Sequence, residues 1–214
     1  MDTNPATIYG FTVRQMPMGG AMHVPLIDPI CGVLHTTEGS TAGGAAATFH
    51  QNGDPPHFAV DSSSIIQFRP LDKIAMALRH DPNNNVFKGQ TNGHAVQIEI
   101  AGFSKTTLWT PDQNTVDRTA AVIAYASQFH AIPLSVPNGF PDDCSDLPQP
   151  APGEWAKRNT RRIWAEANWP TVRGWWMHLE VPGQGNTWHW DCGAITRSTL
   201  LQRAAEFLNG PPPP

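Results

Sequence analysis

The sequence predicts an α/β domain in which a mixed central β-sheet is flanked by helices. Short apolar runs of strand length alternate along the chain with stretches of helical periodicity. Two of the strand-like runs are joined by a short Ser-rich turn and read as a hairpin. The length of 214 residues, with 40% hydrophobic content, suffices for a single domain with a genuine core. Charged residues make up 15% of the chain, against roughly 25% in average globular proteins, which excludes a disordered polyelectrolyte. The formal charge of −4 leaves no basic excess to displace counterions from phosphates, so no nucleic-acid partner is expected.

Residues 1–29 form an N-terminal extension packing on the domain, irregular with short extended pieces and broken by Pro5, Pro17, Gly19, Gly20, Pro25 and Pro29. Ile30–His35 is a buried strand by its apolar content. Ser40 precedes an Ala-rich helix over Thr41–His50 that ends at Asn52-Gly53. His57–Asp61 and Ile65–Arg69 are the hairpin strands. In Ala95–Ile100, Val96, Ile98 and Ile100 share one face, while Ala95, Gln97 and Glu99 share the other. A strand is a rigid place for such a carboxylate.

Thr110-Pro111-Asp112-Gln113 opens a helix, with Thr110 as N-cap, Pro111 at the first position and Gln113 completing a capping box. Its stripe is Val116, Ala120, Ile123, Ala124 and Ser127, and it stops near His130, before Pro133. Residues 133–170 are a loop and helix insertion. The loop holds six prolines and the acidic cluster around Asp142, Asp143 and Asp146, read as solvated. The helix, Glu154–Asn168, carries Lys157, Arg158, Arg161 and Arg162 on a face read as solvated. Thr171–Leu179 is a further strand, whose alternation sends one of Trp175 and Trp176 into the core and leaves the other for a sugar-binding groove. The last helix, Thr196–Leu208, packs Leu200, Leu201, Ala204 and Leu208, with Gly210 as its cap. Pro211–Pro214 reads as the stiff start of a linker after a domain spanning residues 30–210.

Cys31, Cys144 and Cys192 are odd in number and widely spaced, which suits a reducing compartment and no disulfide framework. The first residues lack the basic start and apolar run of a secretory signal, and no stretch approaches the roughly 18 apolar residues of a membrane span. A chain made in the cytoplasm, without membrane insertion, is expected.

Among nine histidines, two stand out by arrangement. His35 ends an apolar strand at a Thr-Thr-Glu-Gly-Ser loop, and His178 ends another before Leu-Glu-Val-Pro-Gly. Asp191 follows in Trp188-His189-Trp190-Asp191-Cys192-Gly193. Two imidazoles and a carboxylate, with a fourth position open, are the ligand set of a catalytic Zn2+ site, whereas a structural site is closed by four protein ligands. From pattern alone, the commoner reading of Glu99 is an ordinary solvent-facing strand residue, and for His189 between two tryptophans an aromatic packing cluster is the lesser alternative. His57 and His80 border the proposed cleft, with substrate contact and structural roles both open.

The segments GVLHTTEGS, HFAVDSSSIIQFRPLDKIAMALRH, AVQIEIAGFS and MHLEVPGQGNTWHWDCGA occur in this order over roughly residues 30–195. Together they resemble the type 2 N-acetylmuramoyl-L-alanine amidases, a zinc-dependent family related to the peptidoglycan recognition proteins. That family includes cell-wall recycling amidases and the amidase domains of many phage endolysins. The resemblance implies that His35, His178 and Asp191 hold zinc, that Glu99 is the catalytic base and that His189 assists on the other side. Cys192 stands where relatives usually have Pro and is an alternative third ligand. The implied reaction is hydrolysis of the amide between the lactyl group of muramic acid and L-alanine of the stem peptide. The implied partner is peptidoglycan, with release from an infected host through a holin and a separate wall-binding domain after the proline-rich tail. A non-catalytic peptidoglycan-binding module and a cytosolic muropeptide-recycling amidase are the alternatives. Stem-peptide specificity and oligomeric state are not encoded legibly.

Overall fold

The computed structural model describes residues 1–19, 24–26, 29–78, 90–103, 111–141, 160–169, 171–182 and 196–210. Among these, seven strands make one sheet: β1 (Thr7–Ile8), β2 (Phe11–Gln15), β3 (Cys31–Thr36), β4 (Phe58–Val60), β5 (Ile65–Gln67), β6 (Ala95–Ile100) and β7 (Gly174–Met177). Their order across the sheet is β1-β2-β5-β4-β6-β3-β7. The β1–β2 and β4–β5 pairs are antiparallel, and all other neighbours are parallel. Helices α1 (Ala42–Asn52), α2 (Gln90–Gly93), α3 (Gln113–His130), α4 (Thr160–Asn168) and α5 (Arg197–Asn209) flank it. The α/β architecture with a mixed sheet is therefore the one that the pattern of apolar residues predicts.

Side-chain alternation sorts the core into two layers. Leu34 of β3, Val96, Ile98 and Ile100 of β6 and Trp175 of β7 face α3 and α5 and form the main cluster with Ala120, Ile123, Ala124, Leu200 and Ala204. Full burial of each large aliphatic side chain is worth about 1.5–3 kcal/mol. On the opposite face, Cys31, Val33, Ala95 and Trp176 pack with Ala165 and Trp169 at α4. That same face is covered farther along the sheet by α1, whose Ala42, Ala46 and Phe49 meet Ala59, Ile66 and Phe68. The second face thus has a helix at each side and the ends of β6 and β3 between them. Trp175 and Trp176 are both completely buried, one on each face, so neither floors a sugar groove.

The helix ends differ in detail from the sequence expectation. Thr41, not Ser40, is the N-cap of α1, and its hydroxyl accepts from the Gly44 N–H at 3.0 Å. Asp112, not Thr110, caps α3: its carboxylate accepts from the N–H groups of Asn114 and Thr115 at 2.9 and 3.1 Å. An ionised carboxylate satisfies two orphan donors and complements the positive helix end, which a Thr hydroxyl does less well. In α5, Phe207 rather than Leu208 completes the buried stripe, because it falls at i+7 from Leu200; Leu208 sits at the rim, 37% exposed. β7 is shorter than Thr171–Leu179, since Gly174 enters at φ +134° and His178 already turns into a 3-10 segment, His178–Glu180.

Two glycines allow β7 to lie where it does. A Cβ on Gly32 would stand 2.2 Å from the Trp175 ring, so only glycine lets that indole cross β3 and donate its Nε1–H to Ser127 of α3 at 3.0 Å. A Cβ on Gly174 would meet the Ser135 carbonyl oxygen at 2.5 Å. Gly32→Ala is expected to destabilise the domain by about 1–3 kcal/mol through overpacking. Urea unfolding measures it, and an unchanged midpoint would show that the Trp175 ring yields freely.

Candidate metal centre and catalytic site

The parallel register aligns β3 residue by residue with β6, and His35 stands directly opposite Glu99. Both side chains project from the second face, on the C-terminal half of adjacent strands. His35 is 1% exposed and Glu99 7%, with His35 Nδ1 to Glu99 Oε1 at 3.7 Å. This is electrostatic reach, slightly beyond hydrogen-bond length. On the other side of β3, Leu34 pairs with Met177, the last residue of β7, so the next residue, His178, is delivered beside His35. The two imidazole rings lie 4.1 Å apart between centroids, inclined by 54°, and His178 is 1% exposed. Three residues separated by up to 143 positions in the chain therefore share one spot at the strand ends.

Hydrogen bonds beyond the strands keep the ends together. The Thr37 N–H donates to the Ile100 carbonyl at 3.0 Å and the Gly39 N–H to the Gly102 carbonyl at 3.2 Å. The Gly102 N–H also donates to the Thr37 hydroxyl at 3.4 Å. Next to these loops lies a cleft of about 240 Å³, lined by residues that include Ser40, Asp61, Gly102, Phe103 and Asp112. Asp61 works structurally there. Burial raises its pKa, but hydrogen bonds from the Ala42 N–H and from Ser63 and Ser64 outweigh that and hold it below the usual carboxylate value.

Asp191, His189, Cys192, His80 and His23 lie outside the described residues, as do Lys157, Arg158 and the acidic cluster at 142–146. Among the described residues, no group of three His, Cys, Asp or Glu side chains is gathered to hold an ion unaided. The pair His35 and His178 fits as two of the ligands: two imidazoles on rigid strand ends, ring against ring, with a carboxylate alongside. Zinc–nitrogen bonds of about 2.0–2.1 Å need neighbouring imidazoles.

His57 has a structural role. Completely buried, its Nδ1 accepts from the Gln97 N–H at 3.0 Å, while its Nε2–H donates to the Lys73 carbonyl at 2.8 Å. An N–H can only donate and a carbonyl only accept, which assigns the neutral Nε2–H tautomer. The Gln97 side chain in turn accepts from the Leu78 N–H and donates to Asn92 and to the Ala75 carbonyl. This buried network underlies the strand that carries Glu99.

Three residues that the sequence reading left without a role here are Glu180, Arg161 and Arg197. Arg161, expected on a solvated basic face, is 2% exposed and pairs with Glu180 at 2.8 Å. Arg197 pairs with the same carboxylate at 2.7 Å. One signal was available: Arg197 opens α5 with no acidic residue in its first turn. A cation at a helix N-terminus opposes the helix dipole and implies a partner elsewhere.

The sequence model of the N-acetylmuramoyl-L-alanine amidase family matches residues 28–136, just over half of the chain. Among solved structures, the Staphylococcus aureus hydrolase AmiA, in a crystal structure with its ligand, is 14% identical. The match covers 92% of this chain and 83% of that one, with a TM-score of 0.51. The solution structure of the PlyG catalytic domain is also 14% identical, over 94% of this chain and 95% of that one, with a TM-score of 0.50. At such identity these likenesses concern the fold. Among curated proteins, none matches. The family match contains His35 and Glu99 but ends before His178, which joins them through the sheet.

Burial depresses the pKa of His57 to about 3 from the ordinary 6.5, against the raising effect of its bond to Lys73. Between these values the unfolded chain binds more protons than the folded one. The stability from neutral His57 is therefore complete above about pH 6.5 and is lost progressively towards about pH 3, by at most about 1.4 kcal/mol per pH unit. Urea unfolding of metal-free protein between about pH 6 and pH 4.5 should show a shallower slope for His57→Gln than for the wild type. Equal slopes would mean that His57 is not held neutral.

Proposed function

The chain belongs to the N-acetylmuramoyl-L-alanine amidase family, and from that premise we propose that it is a zinc-dependent peptidoglycan amidase. The bond cleaved is the amide between the lactyl group of N-acetylmuramic acid and L-alanine of the stem peptide. The observation that carries this reading is the meeting of His35, Glu99 and His178 at the ends of three parallel strands. His35 and His178 would hold zinc together with Asp191, for which Cys192 is the alternative. Zinc, when bound, lowers the pKa of a coordinated water to about 7 and polarises the carbonyl under attack.

Glu99 takes a proton on a carboxylate oxygen as water adds to the lactyl carbonyl carbon. Its position beside His35, rather than out in solvent, suits that task. The C–N bond then breaks, and the alanine nitrogen leaves as an amine after receiving a proton, with His189 as its donor. Free glycan and a stem peptide beginning with L-alanine are the products. Low exposure of Glu99 and both imidazoles limits bulk water at the reacting atoms, which strengthens each electrostatic interaction there.

Digestion of purified peptidoglycan, with and without a chelator, tests the reading. Mass spectrometry should find chelator-sensitive release of intact stem peptides with a new N-terminal alanine. Release of reducing sugar would place the cleavage in the glycan instead, and no release with the protein pelleting on sacculi would favour a binding module. Glu99→Gln should retain zinc and lose about 10²–10⁴ in turnover; near-full activity would remove it as the base. The endolysin-type role, with intact wall as substrate, is separated from muropeptide recycling by comparing turbidity loss of sacculi with turnover of soluble fragments.

A further inference from the structure

Two residues beyond His178 the chain encloses a carboxylate completely. Glu180 is 0% exposed. Its Oε1 accepts from Arg161 Nη1 at 2.8 Å and from Arg197 Nη2 at 3.3 Å, and its Oε2 from Arg197 Nη1 at 2.7 Å. The Met177 N–H donates to the same Oε2 at 2.9 Å. Arg197 reaches further, donating to the carbonyls of Trp175 at 3.2 Å and Pro141 at 2.9 Å. Glu180 and its two arginines thus join α4, α5, the Pro141 carbonyl and the final peptide of β7.

Three buried charges are a poor choice for stability alone. Desolvation consumes much of the Coulombic gain, and apolar side chains of the same volume often serve as well. What the cluster supplies is direction. Its bonds fall on both sides of His178: the Met177 N–H is held before it, Glu180 is anchored after it, and the Val181 N–H donates to the His178 carbonyl at 3.0 Å. The 3-10 turn that starts at His178 is therefore fastened at entry and exit, where β7 has already lost its ladder to β3.

We infer that the Arg161–Glu180–Arg197 cluster is a positioning device for His178, holding its imidazole against His35 in the geometry that a metal ion requires. Glu180 is a positioning residue, acting through the backbone of the turn. The inference rests on the reading that His178 is a zinc ligand.

The test compares zinc affinity, by competition with a chromogenic chelator, and the unfolding temperature of the metal-free proteins. The variants are Glu180→Gln, Arg161→Gln, His178→Ala and Ile65→Ala, the last a core truncation in β5, at the other side of the sheet. Glu180→Gln is expected to weaken zinc binding by about 10–100-fold, the usual effect of removing an outer-shell support. Arg161→Gln, which leaves Arg197 in place, should weaken it by several-fold. Ile65→Ala, though destabilised, should bind zinc within about twofold of the wild type. If Glu180→Gln, or Arg161→Gln where the former does not fold, binds zinc like the wild type while unfolding earlier, the cluster is a structural staple and the inference falls. If His178→Ala itself binds zinc with wild-type affinity, the zinc reading falls and takes the inference with it.

Discussion

The seating of β3 between β6 and β7 governs the rest of the molecule. One backbone ladder sets His35 opposite Glu99, and the other, ending at Leu34 and Met177, brings the chain to His178. Because strand side chains alternate with period two, a slip of one residue on either ladder would turn His35 into the α3–α5 core and bring Leu34 to the site. Such a slip would bury an imidazole among Ile98, Trp175 and Ala124 and expose aliphatic surface, so hydrophobic burial on one face protects the register of polar groups on the other. Gly32 contributes from within β3, since its missing Cβ makes room for the indole of Trp175.

The two faces of the sheet divide the labour. Beneath α3 and α5 the packing is aliphatic and aromatic, and it sets the position of every strand. The opposite face carries buried polar groups beside its apolar packing, and hydrogen bonds link several of them. His57 and Gln97 satisfy each other and the chain around Lys73, Ala75 and Leu78. Farther across, Glu180 gathers two guanidinium groups and a backbone N–H. Hydrogen bonds within buried polar networks of this kind rigidify their surroundings. The strand ends bearing Glu99 and His178 are thus supported by polar scaffolding from below and from beyond the turn.

Family membership and geometry answer different parts of the functional question. The family match places His35 and Glu99 within the shared segment, and the fold extends across the chain into a region where His178 completes the group. Two of the other described histidines have structural explanations: His57 is a neutral hydrogen-bond bridge, and His130 reaches the Leu71 carbonyl at 2.8 Å. Among the described histidines, His35 and His178 are the pair that the strand ends bring ring against ring.

By itself the sequence determined the elements. The alternation in Ala95–Ile100 fixed which face Glu99 takes, the apolar stripe beginning at Val116 marked α3, and apolar runs ending in histidine singled out His35 and His178. These are local properties, decided by side-chain volume and polarity at neighbouring positions. Strand order was not local, and neither were the pairing of His35 with Glu99, the burial of both Trp175 and Trp176 or the withdrawal of Arg161 from a solvated face. Each of these depends on what arrives from a distant part of the chain: the α5 Arg197 beside Glu180, the indole over Gly32, the Lys73 carbonyl at His57. Only the tertiary structure decides such matters, because the energy of a buried charge or a close contact belongs to the pair, and the sequence names the members without saying which ones meet.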